Sequence, residues 1–116
     1  DLHSFPTRRS SDLPGFIDAG AVPILFTKAD DLNQDDRFNR AIVQIAAEFE
    51  APLVNLWKVF RLLPNHGLRG DNAHPSAGSP RFCDFVSDEL RAYGWPVRNL
   101  TALAALDLTT RLLNQR

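Results

Sequence analysis

The chain has 116 residues, 44% hydrophobic and 23% charged, which argues against a disordered or fibrous protein and leaves room for one small domain. Its 13 Lys and Arg against 14 Asp and Glu give a formal charge of −1 with no basic stripe, so nucleic-acid binding through phosphate neutralisation is not expected. The single cysteine, Cys83, excludes an internal disulfide framework and a Cys-based zinc cluster, and no apolar run approaches the ~18 residues that suggest a membrane span.

Residues 1–13, DLHSFPTRRSSDL, show neither a helical nor an alternating apolar period. Along its whole length the string resembles the conceptual translation of a common DNA sequencing adapter. It is therefore set aside as a non-native tail, and residues 14–116 are taken as the C-terminal portion of one domain. The N-terminal half of that domain is then expected to lie outside the chain, along with any signal that would assign a compartment.

Ala21–Thr27 (AVPILFT) is a short, nearly continuous apolar run that suits a buried parallel strand, with Pro23 as the one residue unable to donate to a ladder. Phe38, Ala41, Ile42, Ile45, Ala46 and Phe49 follow the spacing of an amphipathic helix, with Asp35 or Asp36 as its cap and Pro52 as its stop. Leu53–Trp57 predicts a second strand. Strand, helix and strand make a βαβ unit and hence a parallel sheet. A short helix is expected over Lys58–Leu63, then a Gly- and Pro-rich loop from Pro64 to Pro80. Ser79-Pro80 opens a further helix carrying Phe82, Phe85, Val86, Leu90 and Tyr93, with Gly94 as its C-cap. Leu100–Leu113 forms the last helix, capped by Asn99. There is no internal repeat. Two strands do not make an independently stable sheet, so the fold class is an incomplete α/β domain.

The chemistry-bearing stretch is LPNHGLRGDNAHPSAGS, residues 63–79. Within it Asp71 and His74 form an Asp-x-x-His pair on a turn that follows the second strand, and ligand sites in α/β sheets cluster at strand carboxyl ends. An imidazole used as a general base must be held in one tautomer and orientation, and a carboxylate accepting its Nδ1 proton does both. Asn72 tolerates the left-handed backbone such a turn requires. The alternative is a solvated histidine whose carboxylate partner merely stabilises the turn.

Other candidates point to structure. His66 with Asp71 and His74 lacks a fourth ligand, so no metal is expected. Cys83 falls near an apolar helix face and is expected to pack. Trp57, Tyr93 and Trp95 sit at element ends, where aromatic side chains pack; the alternative is an aromatic wall. Thr27 ends a strand as a β-former or lines a crevice. Arg98 is expected on a carboxylate or a helix terminus, and Leu100, Leu103, Ala104 and Leu106 against the sheet, with a partner subunit as the alternative.

From about Ile17 to Ala92, the ordered series AVPILFT, NRAIVQIAAEF, PLVNLW, LLPNHGL and DNAHPS resembles the C-terminal half of an SGNH (GDSL-type) hydrolase. The resemblance implies a flavodoxin-like three-layer α/β/α sandwich, of which this chain lacks the N-terminal half. It also implies a serine esterase or lipase activity without metal or organic cofactor, and a small-molecule, lipid or carbohydrate ester as substrate. Asp71 would be the triad carboxylate and His74 the base. Asn72 departs from the family's usual glycine in Asp-Gly-x-His-Pro-Ser. The family's Gly-Asp-Ser nucleophile block and its oxyanion-hole blocks have no counterpart here, and Ser11-Asp12-Leu13 is rejected as a nucleophile motif because it belongs to the adapter-like tail. The chain alone is therefore expected to be inactive. A non-catalytic α/β binding or regulatory module is the competing function.

Overall fold

The computed structural model describes residues 13–32 and 36–115. The adapter-like residues 1–12 and Asp35 lie outside them. The fold is mixed α/β: a short helix including residues 13–18 (α1), strand β1 (Leu25–Phe26), helix α2 (Arg37–Glu48), strand β2 (Leu53–Val54), helix α3 (Leu56–Phe60), a 3-10 turn (Pro64–Gly67), and helices α4 (Glu89–Ala92) and α5 (Gly94–Asn114). Leu13, assigned to the adapter-like tail, is itself buried.

The expected βαβ unit is present. β1 and β2 pair in parallel, Leu25 opposite Leu53 and Phe26 opposite Val54. Both strands are shorter than the apolar runs suggest. The ladder runs from Leu25 N–H on Pro52 O to Thr27 N–H on Val54 O. It stops there because Asn55 turns the chain into α3, its Oδ1 accepting Lys58 N–H at 3.0 Å. The helix expected over Lys58–Leu63 accordingly starts at Leu56 and ends at Phe60.

α2 lies on its predicted spacing, with Ala46 buried. Asp36 occupies the N-cap position without capping; both its carboxylate oxygens instead hold Arg40 at 2.9 Å. The helix also ends before Pro52, at Glu48, with Glu50 in a left-handed conformation (φ 52°). Asn39 fastens α2 to the segment leaving β1: its Oδ1 accepts Lys28 N–H at 2.7 Å and its Nδ2 donates to Lys28 O at 2.9 Å.

Phe60, fully buried, centres a core with Ala29, Leu56, Leu68 and Val97. Over it the 3-10 turn meets the start of α5 backbone to backbone. A Cβ on Gly94 would stand 2.1 Å from Gly67 O and 2.9 Å from the Phe60 ring. Gly94 is thus the opening residue of α5 and no C-cap. Its N–H donates to Ser76 Oγ (3.1 Å) and Trp95 N–H to Ser76 O (3.0 Å), so Ser76 caps the helix through space. Pro96 fits in the first turn, where its missing N–H is harmless. Asn99 lies inside α5, donating to Phe82 O at 3.0 Å, and does not cap it.

The helix expected from Ser79-Pro80 shrinks to Glu89–Ala92. Upstream, Asp84 Oδ1 accepts the N–H groups of Val86 and Ser87 at 3.1 Å each, a local turn that competes with the helical ladder. Phe82 and Val86, read as an apolar face, are exposed, as are Leu103 and Leu106 on α5.

Gly94→Ala is expected to destabilise the fold by about 1–3 kcal/mol, because a helix-propensity gain of under about 1 kcal/mol does not offset overlap with a backbone oxygen. Gly70→Ala, with nothing within 4 Å of its added methyl, should stay within about 0.5 kcal/mol of the parent. Urea unfolding of both variants decides; equal midpoints would refute the Gly67–Gly94 contact.

Candidate active site

Residues 68–75 form a closed loop. Leu68 and Pro75 make an antiparallel bridge, flanked by Arg69 N–H on His74 O and Ser76 N–H on Gly67 O, both 2.8 Å. At its tip Asp71 Oδ1 accepts the N–H groups of Ala73 and His74 at 3.0 Å each, while Asp71 Oδ2 stands 2.6 Å from His74 Nδ1. The sequence-predicted pair is therefore brought together. Asn72 takes the left-handed conformation expected of it, with φ 58°. Its carbonyl accepts Asp31 N–H at 2.9 Å, which ties the loop to the segment leaving the carboxyl end of β1.

The Ala73 N–H, then the His74 ring and the His74 N–H, hold the Asp71 carboxyl well below the usual carboxylate range. An ionised carboxylate only accepts, so His74 Nδ1 carries the proton and Nε2 is left as the basic atom. Both side chains are solvent-exposed, 47% for Asp71 and 69% for His74. The pair thus gains orientation rather than desolvation.

A second Asp–His pair, invisible in the sequence, lies next to it. His66 Nδ1 stands 2.9 Å from Asp31 Oδ2, and Arg61 bonds the other carboxylate oxygen of Asp31 and the carbonyl of Ala29. The His66 hydrogen bond lowers the Asp31 carboxyl most; Arg61 adds to this against the raising effect of burial. Asp31 and His66 are 35 positions apart, so no local spacing announces them. The one available signal was the Asn65-His66-Gly67 run, in which all three residues are left-handed (φ 48°, 52° and 66°).

Asp31 and His66 line a cleft of about 740 Å³ whose wall also includes Thr27, Lys28, Phe38, Trp57 and Asn72. Among the described lining residues Asn72 represents the Asp71–His74 loop, whose two chemical groups stay outside the cleft. Thr27 is 3% exposed; its Oγ1 accepts Trp57 N–H at 3.0 Å and donates to Asn55 Oδ1 at 3.3 Å, so the hydroxyl fixes the entry into α3.

The remaining candidates separate. His66 joins Asp31 rather than Asp71 and His74, and among the described residues no group of three or more His, Cys, Asp and Glu is arranged to hold a metal ion. Trp57 lies under the Arg61 guanidinium, 4.6 Å from its ring centre, whereas Trp95 meets Phe82 at 5.8 Å and Tyr93 crowds Gly78. Cys83 is exposed, outside any helix, rather than packed in a core. Arg98 stacks on Trp95 and bonds the Asn99 side chain instead of a carboxylate. No family model, curated protein or solved structure matches the chain.

A depressed carboxyl makes a pH-dependent contribution. The Asp71 bonds stabilise the closed loop above the unfolded carboxyl value of about 3.9, and this contribution fades as pH falls through the lower folded value. The carboxylate-linked movement of the Ala73 and His74 amide resonances should therefore come only below about pH 4. An ordinary midpoint near about 3.9 would show that the carboxylate does not cap the turn.

Proposed function

We propose that Asp71 and His74 are the carboxylate and general base of a Ser-His-Asp triad in a carboxylic-ester hydrolase of SGNH (GDSL) type, and that this chain is the C-terminal portion of its three-layer α/β/α domain. The supporting observation is the 2.6 Å bond from His74 Nδ1 to Asp71 Oδ2, on a loop tied to the carboxyl end of β1. His74 Nε2 takes the proton of a serine hydroxyl as the serine oxygen bonds the ester carbon. The resulting imidazolium, steadied by Asp71, returns that proton to the leaving alcohol. A water then repeats the sequence to release the acid. The serine and the oxyanion-hole donors come from blocks outside this chain, so the chain by itself turns over no ester. The substrate is a small-molecule, lipid or carbohydrate ester, and the triad requires no metal or organic cofactor.

One observation favours a second function. Asp71 spends one oxygen on two loop amides and the pair is solvent-exposed, as in a turn clasp of a non-catalytic α/β module. Ester hydrolysis by the complete coding frame separates the two. His74→Ala should lower kcat/KM by about 10³-fold or more with an unchanged circular dichroism spectrum. Activity within severalfold of the parent would make the pair a clasp.

A further inference from the structure

We propose that the cleft between β1, α2, α3 and the Asn65–Gly67 turn binds a neutral, hydroxyl-rich ring such as a sugar unit, with His66 as the residue that recognises one of its hydroxyls. A volume of about 740 Å³ lies within the span of about 300–1,000 Å³ usual for ligand clefts. Its wall combines the rings of Phe38 and Trp57, each with a cation over one face (Lys28 Nζ at 5.0 Å, Arg61 at 4.6 Å) and Trp57 still 43% exposed, with polar groups from Asp31, His66 and Asn72. Aromatic surface beside a few fixed polar groups suits a ligand that offers C–H faces and hydroxyls together.

Charge selects among such ligands. Lys28 pairs with Asp30 at 3.4 Å, Arg40 with Asp36 at 2.9 Å, and Arg61 with Asp31. Among the described residues, the cations lining the cleft, Lys28 and Arg40, thus each face a carboxylate, as does Arg61 bonded to Asp31, so a phosphate or carboxylate ligand would have to displace an existing partner. A neutral polyol displaces none.

The backbone holds His66 in place at a conformational cost. Asn65 and His66 are both left-handed; Asn tolerates this region, so the cost falls on His66, and such strain clusters where a side chain must be aimed. Asn65 Nδ2 braces the turn by donating to Leu68 O at 2.8 Å. Asp31, anchored by Arg61 and by its own N–H on Asn72 O, accepts the Nδ1 proton of His66. Nε2 then remains as an acceptor for a hydroxyl. This deepens the hydrolase proposal, and rests on it only in making the ring a part of the ester.

The test is a ¹H–¹⁵N titration of the full chain with methyl β-D-glucopyranoside and, separately, with inorganic phosphate. The glycoside should shift the Trp57 indole N–H and the His66 ring resonances along one saturation curve. The Trp95 indole N–H should stay still, and phosphate should shift neither Trp57 nor His66. His66→Asn, which accommodates the left-handed backbone, should weaken binding about fivefold or more. The ring resonances of the unaltered chain carry the test if that variant fails to fold. No saturable Trp57 and His66 shift, a saturable response to phosphate, or unchanged affinity in a folded His66→Asn chain would overturn the assignment. Ester hydrolysis does not enter this readout, so its failure leaves the Asp71–His74 proposal to its own test.

Discussion

The approach of Gly67 to Gly94 over the buried Phe60 ring fixes the junction from which both histidine-bearing segments are presented. Two backbones meet there without intervening side chains, which sets the start of α5 directly against the 3-10 turn. Gly67 O also accepts Ser76 N–H, and Ser76 in turn caps α5 through its hydroxyl and carbonyl. Both ends of the loop holding Asp71 and His74 are therefore fixed to one rigid junction. The same junction ends the left-handed turn that presents His66.

The two Asp–His pairs are coupled through backbone rather than side chains. Asn72, between Asp71 and His74 in sequence, accepts Asp31 N–H, and Asp31 holds His66. A left-handed Asn72 is what lets its carbonyl face one pair while its neighbours form the other. The pairs differ in setting. Asp71–His74 stands at an open loop tip, whereas Asp31–His66 lines a cleft and draws on Arg61. On the proposed function this divides the work: the exposed imidazole moves a proton, and the cleft imidazole grips substrate.

What the sequence made legible was what depends on near neighbours. The periodicity of α2 and the apolar runs around β1 and β2 located the βαβ unit, and Asp-x-x-His announced its own hydrogen bond because its partners are three residues apart. Helical spacing from Phe82 to Tyr93 misled because Asp84 captures the amides of Val86 and Ser87 first. The start of α5 was missed because its cap, Ser76, comes from a distant loop, and a glycine followed by Trp-Pro reads locally as an end rather than a beginning. Asp31 and His66 were beyond any spacing rule, since only the packing of the 3-10 turn beside β1 joins them. The Ser-His-Asp assignment itself rests on family resemblance and on the geometry of one pair.

Asp71 fixes the His74 imidazole with its proton on Nδ1. Long-range ¹H–¹⁵N correlation of the histidine rings, recorded at a pH where His74 is neutral, reads this directly. A protonated Nδ1 and a bare Nε2 are expected in the chain. A His74 ring protonated on Nε2, or exchanging freely between the two tautomers, would contradict it.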